Sequence, residues 1–172
     1  VKYMTAKEED ILTSSNLIKQ GKVIDRLLES VIADPKIKMD DLLIGDKNAL
    51  MVGTRILGYG KDYNIVLTDP DTQEQVEYTV DLTKLENKPI DKKLYENGNS
   101  FTFELPNSKR TIGFKLLTQQ DENEIQEVMK DYEKVEKLTG VSYSLTTRLK
   151  HQIVSIDDNK DQKEIDNFVD NE

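Results

Sequence analysis

Apolar positions in the first third of the chain recur at helical spacing. The clearest run lies between about Lys22 and Ala33. There Val23-Ile24, Leu27-Leu28 and Val31-Ile32 come as pairs every four residues, with Asp25, Arg26, Glu29 and Ser30 between them. Such pairing makes one wide apolar stripe, the pattern of a helix with one side in a core. Asp34-Pro35 ends it, because the residue before proline is pushed out of the helical region. Upstream, Thr5-Ala-Lys-Glu8 has the spacing of a capping box and predicts a short helix to about Thr13. Downstream, the residues from Asp40 to Gly45 predict a single turn. Asp46 is then placed to cap a helix from about Lys47 to Leu57, which Gly58 or Gly60 ends in a left-handed turn. Gly53 inside that helix costs about 1 kcal/mol relative to alanine. Close approach of another backbone is the expected reason for it.

The period then changes to two. Tyr63, Ile65 and Leu67 alternate with polar or smaller residues, as do Val76, Tyr78 and Val80, and Asp69-Pro-Asp-Thr between them suits a type I turn. A second pair follows, Phe101, Phe103 and Leu105 and then Ile112, Phe114 and Leu116, joined through Pro106-Asn-Ser. The spacing predicts two antiparallel hairpins in one sheet, with Tyr63, Ile65, Val76, Tyr78, Phe101, Phe103, Ile112 and Phe114 on its inner face. The stretch from Leu82 to Asn99 is polar, contains Pro89 and Gly98, and reads as a loop with at most a short turn.

Helical spacing returns from about Gln119 to Leu138, where Ile125, Val128, Met129, Tyr132, Val135 and Leu138 share a face until Gly140 breaks the pattern. Val141, Leu145, Leu149 and Ile153 continue at four-residue intervals. The segment from Gln152 to Ile156 is β-branched enough for a strand, and both readings stay open for it. The expected fold class is therefore α+β: N-terminal helices, a central antiparallel sheet of about four strands, and C-terminal helices. The expected parts are a helical portion at 1–60, a sheet lobe at 61–117, and a helical portion with an acidic end at 118–172, forming one unit with an inserted lobe. Leu27, Leu28, Val31 and Ile32 are expected in a core with Leu50, Ile56 and Leu57.

Composition narrows the functional classes. The 172 residues carry 24 Lys and Arg against 33 Asp and Glu, a net charge of −9. That balance disfavours binding to a phosphate backbone. Residues 157–172 alone hold 7 acids and 2 lysines. Cysteine is absent, which removes disulfides, thiolate nucleophiles and cysteine-ligated zinc. No apolar run reaches the roughly 18 residues of a membrane span. The first residues lack the apolar stretch of a signal peptide. The chain opens on Val1, and the expectation is a piece of a longer protein or a true start at Met4. These features together predict a soluble intracellular protein.

No motif in the chain carries chemistry. Gly53-Thr-Arg-Ile-Leu-Gly58 has the glycine spacing of a phosphate loop, but Tyr59 stands where the lysine must be, and the glycines lie in a helix rather than after a strand. Asp69-Pro-Asp71 begins like a calcium loop. Its sixth position is Glu74 instead of glycine, and its twelfth is Val80 instead of a bidentate glutamate. His151 is the only histidine, so the common triads and multi-histidine metal sites cannot be built. Pairs such as Asp40-Asp41 and Asp157-Asp158 are expected by chance among 33 acids. Lys109-Arg110 is too small a basic spot for a nucleic-acid footprint. The expectation is no catalytic residue, no cofactor, no metal and no small-molecule substrate.

Ala6-Lys-Glu-Glu-Asp-Ile-Leu-Thr-Ser, Asn16-Leu-Ile-Lys, Val23-Ile-Asp-Arg-Leu-Leu, the long run from Asp41 to Gly60 that includes Gly45-Asp-Lys-Asn-Ala, and Thr147-Arg-Leu-Lys-His-Gln-Ile-Val-Ser-Ile-Asp form a set of segments. Together they resemble the T4-like phage baseplate family. The resemblance covers about two thirds of the chain and rests on helix starts and packing patterns. It implies a non-enzymatic part in the baseplate hub of a contractile tail, as a subunit or an assembly factor. Partners would be other baseplate or hub proteins. The location would be the host cytoplasm during assembly and the tail baseplate of the virion. Some relatives carry a cysteine-containing ribbon where this chain has Asp69-Pro-Asp-Thr-Gln-Glu, so no metal is implied here. Relatives also continue past the segment matching Phe168-Val169. The other class that fits the residues is an intracellular adaptor or regulatory binding domain unrelated to tails; an enzyme ranks third.

The expected mode of action is protein–protein docking through the Asp46–Gly60 helix and its terminal turn. Asp46 and Lys47 open that segment. Arg55 and Tyr59 lie four residues apart on one side of it, and both types are enriched in interface hot spots. The alternative is that Gly53 packs within the domain and Tyr59 covers the hairpin starting at Tyr63.

Overall fold

The structure, a computed structural model, describes residues 1–171. The chain divides into two compact units, Val1–Pro89 and the part from Ile90 onward. The division falls in the polar stretch between the two hairpins, which were expected together in one lobe at 61–117. The α+β class is borne out, with helices at both ends and antiparallel strands between them.

The first unit opens with α1 (Ala6–Leu12), α2 (Ser15–Lys19) and α3 (Val23–Val31). The capping box forms: the Glu8 carboxylate accepts from the Thr5 N–H at 2.8 Å and the Thr5 hydroxyl at 2.5 Å. These donors, the hydroxyl first, hold the Glu8 carboxyl down at about 2. The paired residues of α3 face inward as their spacing requires. Leu27, Leu28 and Val31 are buried with Met39, and Met4, Ile11, Leu12, Ile32, Leu42 and Leu50 pack around them. Ile56 is half-buried outside this cluster and Leu57 is 38% exposed, so these two do not join the core as expected.

Helix α4 (Ile44–Tyr59) starts three residues before the expected Lys47. Its cap is Leu43, whose carbonyl accepts from the Lys47 N–H at 3.0 Å. Asp46 is therefore not the cap but lies in the first turn, where a carboxylate favours the positive end of the helix. Gly60, with φ of 84°, ends the helix as expected. At Gly53 a Cβ would have only Val1 Cγ2 within reach, at 4.0 Å, so no close approach explains this glycine. The tight position is Gly58, where a Cβ would lie 2.8 Å from Met4 Sδ.

After α4 come β1 (Asp62–Thr68) and β2 (Gln75–Asp81), a two-stranded antiparallel ribbon. Its turn is built on Asp69, whose carboxylate accepts from the N–H groups of Asp71 and Thr72 at 2.8 and 3.1 Å. Those two donors draw the Asp69 pKa below the usual carboxylate value. The second hairpin does not join this sheet. Instead β3 (Phe101–Glu104), β4 (Thr111–Phe114) and β5 (Ile153–Ile156) form a separate three-stranded antiparallel sheet in the second unit, in the order β3-β4-β5. One four-stranded sheet is thus replaced by two, because β4 takes its second neighbour from far along the chain.

In the second unit α5 (Gln119–Thr139) is capped by Thr118 and closed by Gly140 at φ of 70°. Helix α6 (Ser144–Gln152) runs directly into β5, so both open readings of that segment hold, one on each side of Ile153. The acidic end contains α7 (Gln162–Asn171). Ile165 of α7 is buried with Ile153 and Ile156 of β5, and Phe168, Val169, Leu149 and Ile112 pack against them.

Candidate interaction surface

Of the four residues expected to face a partner, Lys47, Arg55 and Tyr59 have intrachain contacts, and Asp46 is exposed in the first turn of α4. Lys47 pairs with Asp25 of α3 at 2.5 Å, which ties α4 to α3. Arg55 donates to the carbonyls of Gly60 at 3.0 Å and Asp62 at 3.3 Å. Its guanidinium carbon also sits 5.1 Å from the Tyr59 ring centre and 5.8 Å from that of Tyr63. Arg55 thereby ties the end of α4 to the root of β1, using charge-assisted bonds and two aromatic faces. The Tyr59 hydroxyl donates to Glu9 Oε1 at 2.7 Å, which raises the phenol pKa. Half of Tyr59 stays exposed. Arg55 and Tyr59 are brought together with Tyr63, while Asp46 and Lys47 lie at the opposite end of the same helix.

The ribbon that Arg55 anchors has two unlike faces. The register pairs Tyr63 with Val80, Ile65 with Tyr78, and Leu67 with Val76. Side chains of directly opposite residues point to one face, so these six form a continuous apolar surface. The other face pairs Asp62 with Asp81, Asn64 with Thr79, Val66 with Glu77, and Thr68 with Gln75. The expected alternation is present, but the expected burial is not. Tyr63, Leu67, Val76 and Tyr78 are exposed at 38–51%, and Ile65 and Val80 are only half-buried. Phe103 in the second hairpin is likewise 53% exposed rather than inward. The first sheet has only two strands, and its apolar side stays largely open. Period-two spacing identifies such a face but carries no information on what lies over it.

The β2 side of the same root is also fixed. Asp81 pairs with Lys61 at 2.9 Å and accepts from the Thr83 hydroxyl and N–H at 2.5 and 3.0 Å. The hydroxyl, then the ammonium, hold its carboxyl at about 2.

The second unit contains an open groove of about 860 Å³ whose lining includes Lys115, Asp121, Tyr132, Tyr143, Lys150 and His151. Four of its charged groups form two ion pairs. Lys115 meets Asp121 at 2.6 Å, and Lys150 meets Asp170 at 2.7 Å. Burial alone would raise the Asp121 pKa; Lys115 and the Thr118 N–H and hydroxyl outweigh it and bring the pKa below the usual value. His151 Nδ1 lies 2.9 Å from the Thr147 carbonyl, which only accepts, so that nitrogen carries the proton. The hydroxyls of Thr146 and Thr147 donate to the Tyr143 carbonyl at 3.1 and 2.8 Å. None of these contacts sets a nucleophile beside a base. Among the described residues no cluster of three or more His, Asp or Glu side chains is arranged to hold a metal ion. No helix among them is long and apolar enough to cross a membrane.

The fold is thus an α+β protein whose most conspicuous open feature is an apolar ribbon face. Comparison with known families gives a match over residues 1–172 to the family described as T4 bacteriophage base plate protein, and the chain belongs to that family. It is accordingly a phage baseplate structural protein, with other baseplate proteins as its partners and the tail baseplate as its place in the virion. No curated protein and no solved structure matches the chain significantly.

Proposed function

We propose that this protein is a non-enzymatic component or assembly factor of the baseplate hub in a contractile tail, and that it works by docking to other hub proteins. The observation that carries the reading is the family match across all 172 residues. The open apolar ribbon supports a docking role, since apolar surface that a unit leaves uncovered marks protein contact sites. The surface proposed for docking includes the Asp46–Gly60 segment, with Asp46 and Lys47 at its start and Arg55 and Tyr59 at its end. In that arrangement Arg55 orients the tyrosines, and the exposed part of the Tyr59 ring meets the partner.

Purified tails and tail intermediates, analysed by protein mass spectrometry, test the placement. Presence in finished tails makes the protein a retained subunit, and presence only in intermediates makes it an assembly factor. Absence from both refutes the hub reading. For the α4 surface, Arg55→Ala and Tyr59→Ala are compared for thermal stability and for incorporation. Lost incorporation with unchanged melting supports docking there; lost stability, or no change in either, refutes it.

A further inference from the structure

The ribbon of β1 and β2 is an amphipathic two-stranded sheet with an acidic turn. Its six large apolar side chains, Tyr63, Ile65, Leu67, Val76, Tyr78 and Val80, form three cross-strand pairs on one face. Residues 61–81 carry six acids against the single cation Lys61; Asp69, Asp71 and Glu74 lie in the turn that ends this face, and Asp62, Glu77 and Asp81 lie on the opposite face. An isolated two-stranded hairpin is marginal in water. This one is held at its roots by Arg55 on the β1 side and by the Lys61–Asp81–Thr83 contacts on the β2 side. The face is therefore presented in a set orientation, with two tyrosines at 45% and 51% exposure, and tyrosine loses little side-chain freedom when covered.

We propose that this face docks onto another protein that presents an apolar patch bordered by lysine and arginine side chains. The proposal rests on the hub reading, in which that partner is another baseplate protein. Size and charge select this occupant. A strand of seven residues is about 23 Å long and its neighbour lies about 5 Å away. The apolar face alone is thus well short of the roughly 800 Å² per partner that a stable interface buries. The contact must extend past the turn that ends the face, and that turn is acidic through Asp69, Asp71 and Glu74. A second copy of this chain would bring a second ribbon of net −5, with its acidic turn, against the first, and like charges facing each other across an interface suppress association. Anionic lipid surfaces and nucleic acids meet the same repulsion. A basic border on the partner converts that cost into attraction and steers the encounter.

Site-specific photocrosslinking in the full chain, expressed from the phage during infection, tests this directly. Tyr78 and, in a separate variant, Leu67 are replaced by p-benzoylphenylalanine; Val66, 57% exposed on the opposite face, is the control position. Melting curves confirm that each variant folds, and having two positions on the face guards against loss of one. Tails and tail intermediates are irradiated and the crosslinked peptides sequenced. The expected result is crosslinking from 78 or 67 but not from 66, into a baseplate protein at a segment containing Lys or Arg. Replacing Asp62→Asn, Asp71→Asn and Glu74→Gln together should lower the rate of complex formation by roughly tenfold at low salt, and raised salt should erase the difference.

Crosslinks confined to this chain or to a second copy, to lipid or nucleic acid, or equal from 66 and 78, overturn the docking face, as does no crosslink at all. Each leaves the hub reading standing if the protein is found in tails. A salt-sensitive crosslink from 78 to a basic segment of a protein outside the tail does the reverse: the face stands and the hub reading falls. A baseplate crosslink at a segment without basic residues, unaffected by the three neutralising substitutions, overturns the stated chemistry of the partner.

Discussion

Gly113 offers a sharp check on the packing of the second unit. It lies on β4 directly opposite Ser155 of β5. A methyl group added there would stand 2.3 Å from Ser155 Oγ, whereas Ser155 Cβ and Val154 Cγ2 lie at an ordinary 3.6 Å. The hydroxyl must therefore retreat by about 1 Å to restore van der Waals contact, and Ser155 is buried, so it has little open space to enter. Overpacking of this kind costs about 1–3 kcal/mol. Removing a glycine from a strand returns about 0.5–1 kcal/mol. Gly113→Ala should then destabilise the protein by up to roughly 2.5 kcal/mol. In a Ser155→Ala background the obstructing oxygen is gone, and the same substitution should be neutral or stabilising by up to about 1 kcal/mol. Urea denaturation of the four proteins in this cycle measures the coupling, provided the slopes agree. If Gly113→Ala costs the same in both backgrounds to within about 0.5 kcal/mol, the β4–β5 contact as described is wrong.

Three further outcomes are expected. Leu28 has no exposed surface and sits at the centre of the first core; Leu28→Ala should cost about 2–5 kcal/mol, and a wild-type midpoint in urea would contradict that core. Gly53 has room for a side chain, so Gly53→Ala should stabilise by up to about 1 kcal/mol, and a lowered melting temperature would mean that something presses on this position after all. Glu8, held at about 2 rather than 4.5, contributes stability that is present above its unfolded pKa and lost as pH falls from about 4.5 to about 2. Thr5→Ala removes the hydroxyl donor, so an NMR titration should show the Glu8 pKa rising toward the unfolded value; an unchanged titration would refute the assignment.

Much of the secondary structure was legible because its causes are local. The paired spacing of α3, the Thr5–Glu8 box, the stops at Gly60 and Gly140 and the alternation of both hairpins each depend on residues within a few positions of one another. The start of α4 is not legible because its N-cap is Leu43, which makes no side-chain hydrogen bond to the free N–H groups of the first turn and so leaves no mark on residue type. The α7 helix was overlooked behind its charge. Ile165, Phe168 and Val169 do stand at helical spacing among the acids, and they bury against β5.

The candidate site divides along the same line. That Tyr63, Ile65 and Leu67 share a face, and Val76, Tyr78 and Val80 another, follows from the two-residue period of a strand. That the two rows lie side by side depends on the ribbon register, and that the joined face stays open depends on which strand pairs with which. The second hairpin pairs with β5 rather than with the first, so the ribbon has no neighbouring strand to extend it. Arg55 shows the same limit: its helical spacing from Tyr59 was readable, but its bonds to the Gly60 and Asp62 carbonyls required the chain to turn back at Gly60. Periodicity reports which side of an element is apolar. Whether that side becomes core or contact surface is decided by distant segments competing to cover it, and only the folded chain resolves that competition.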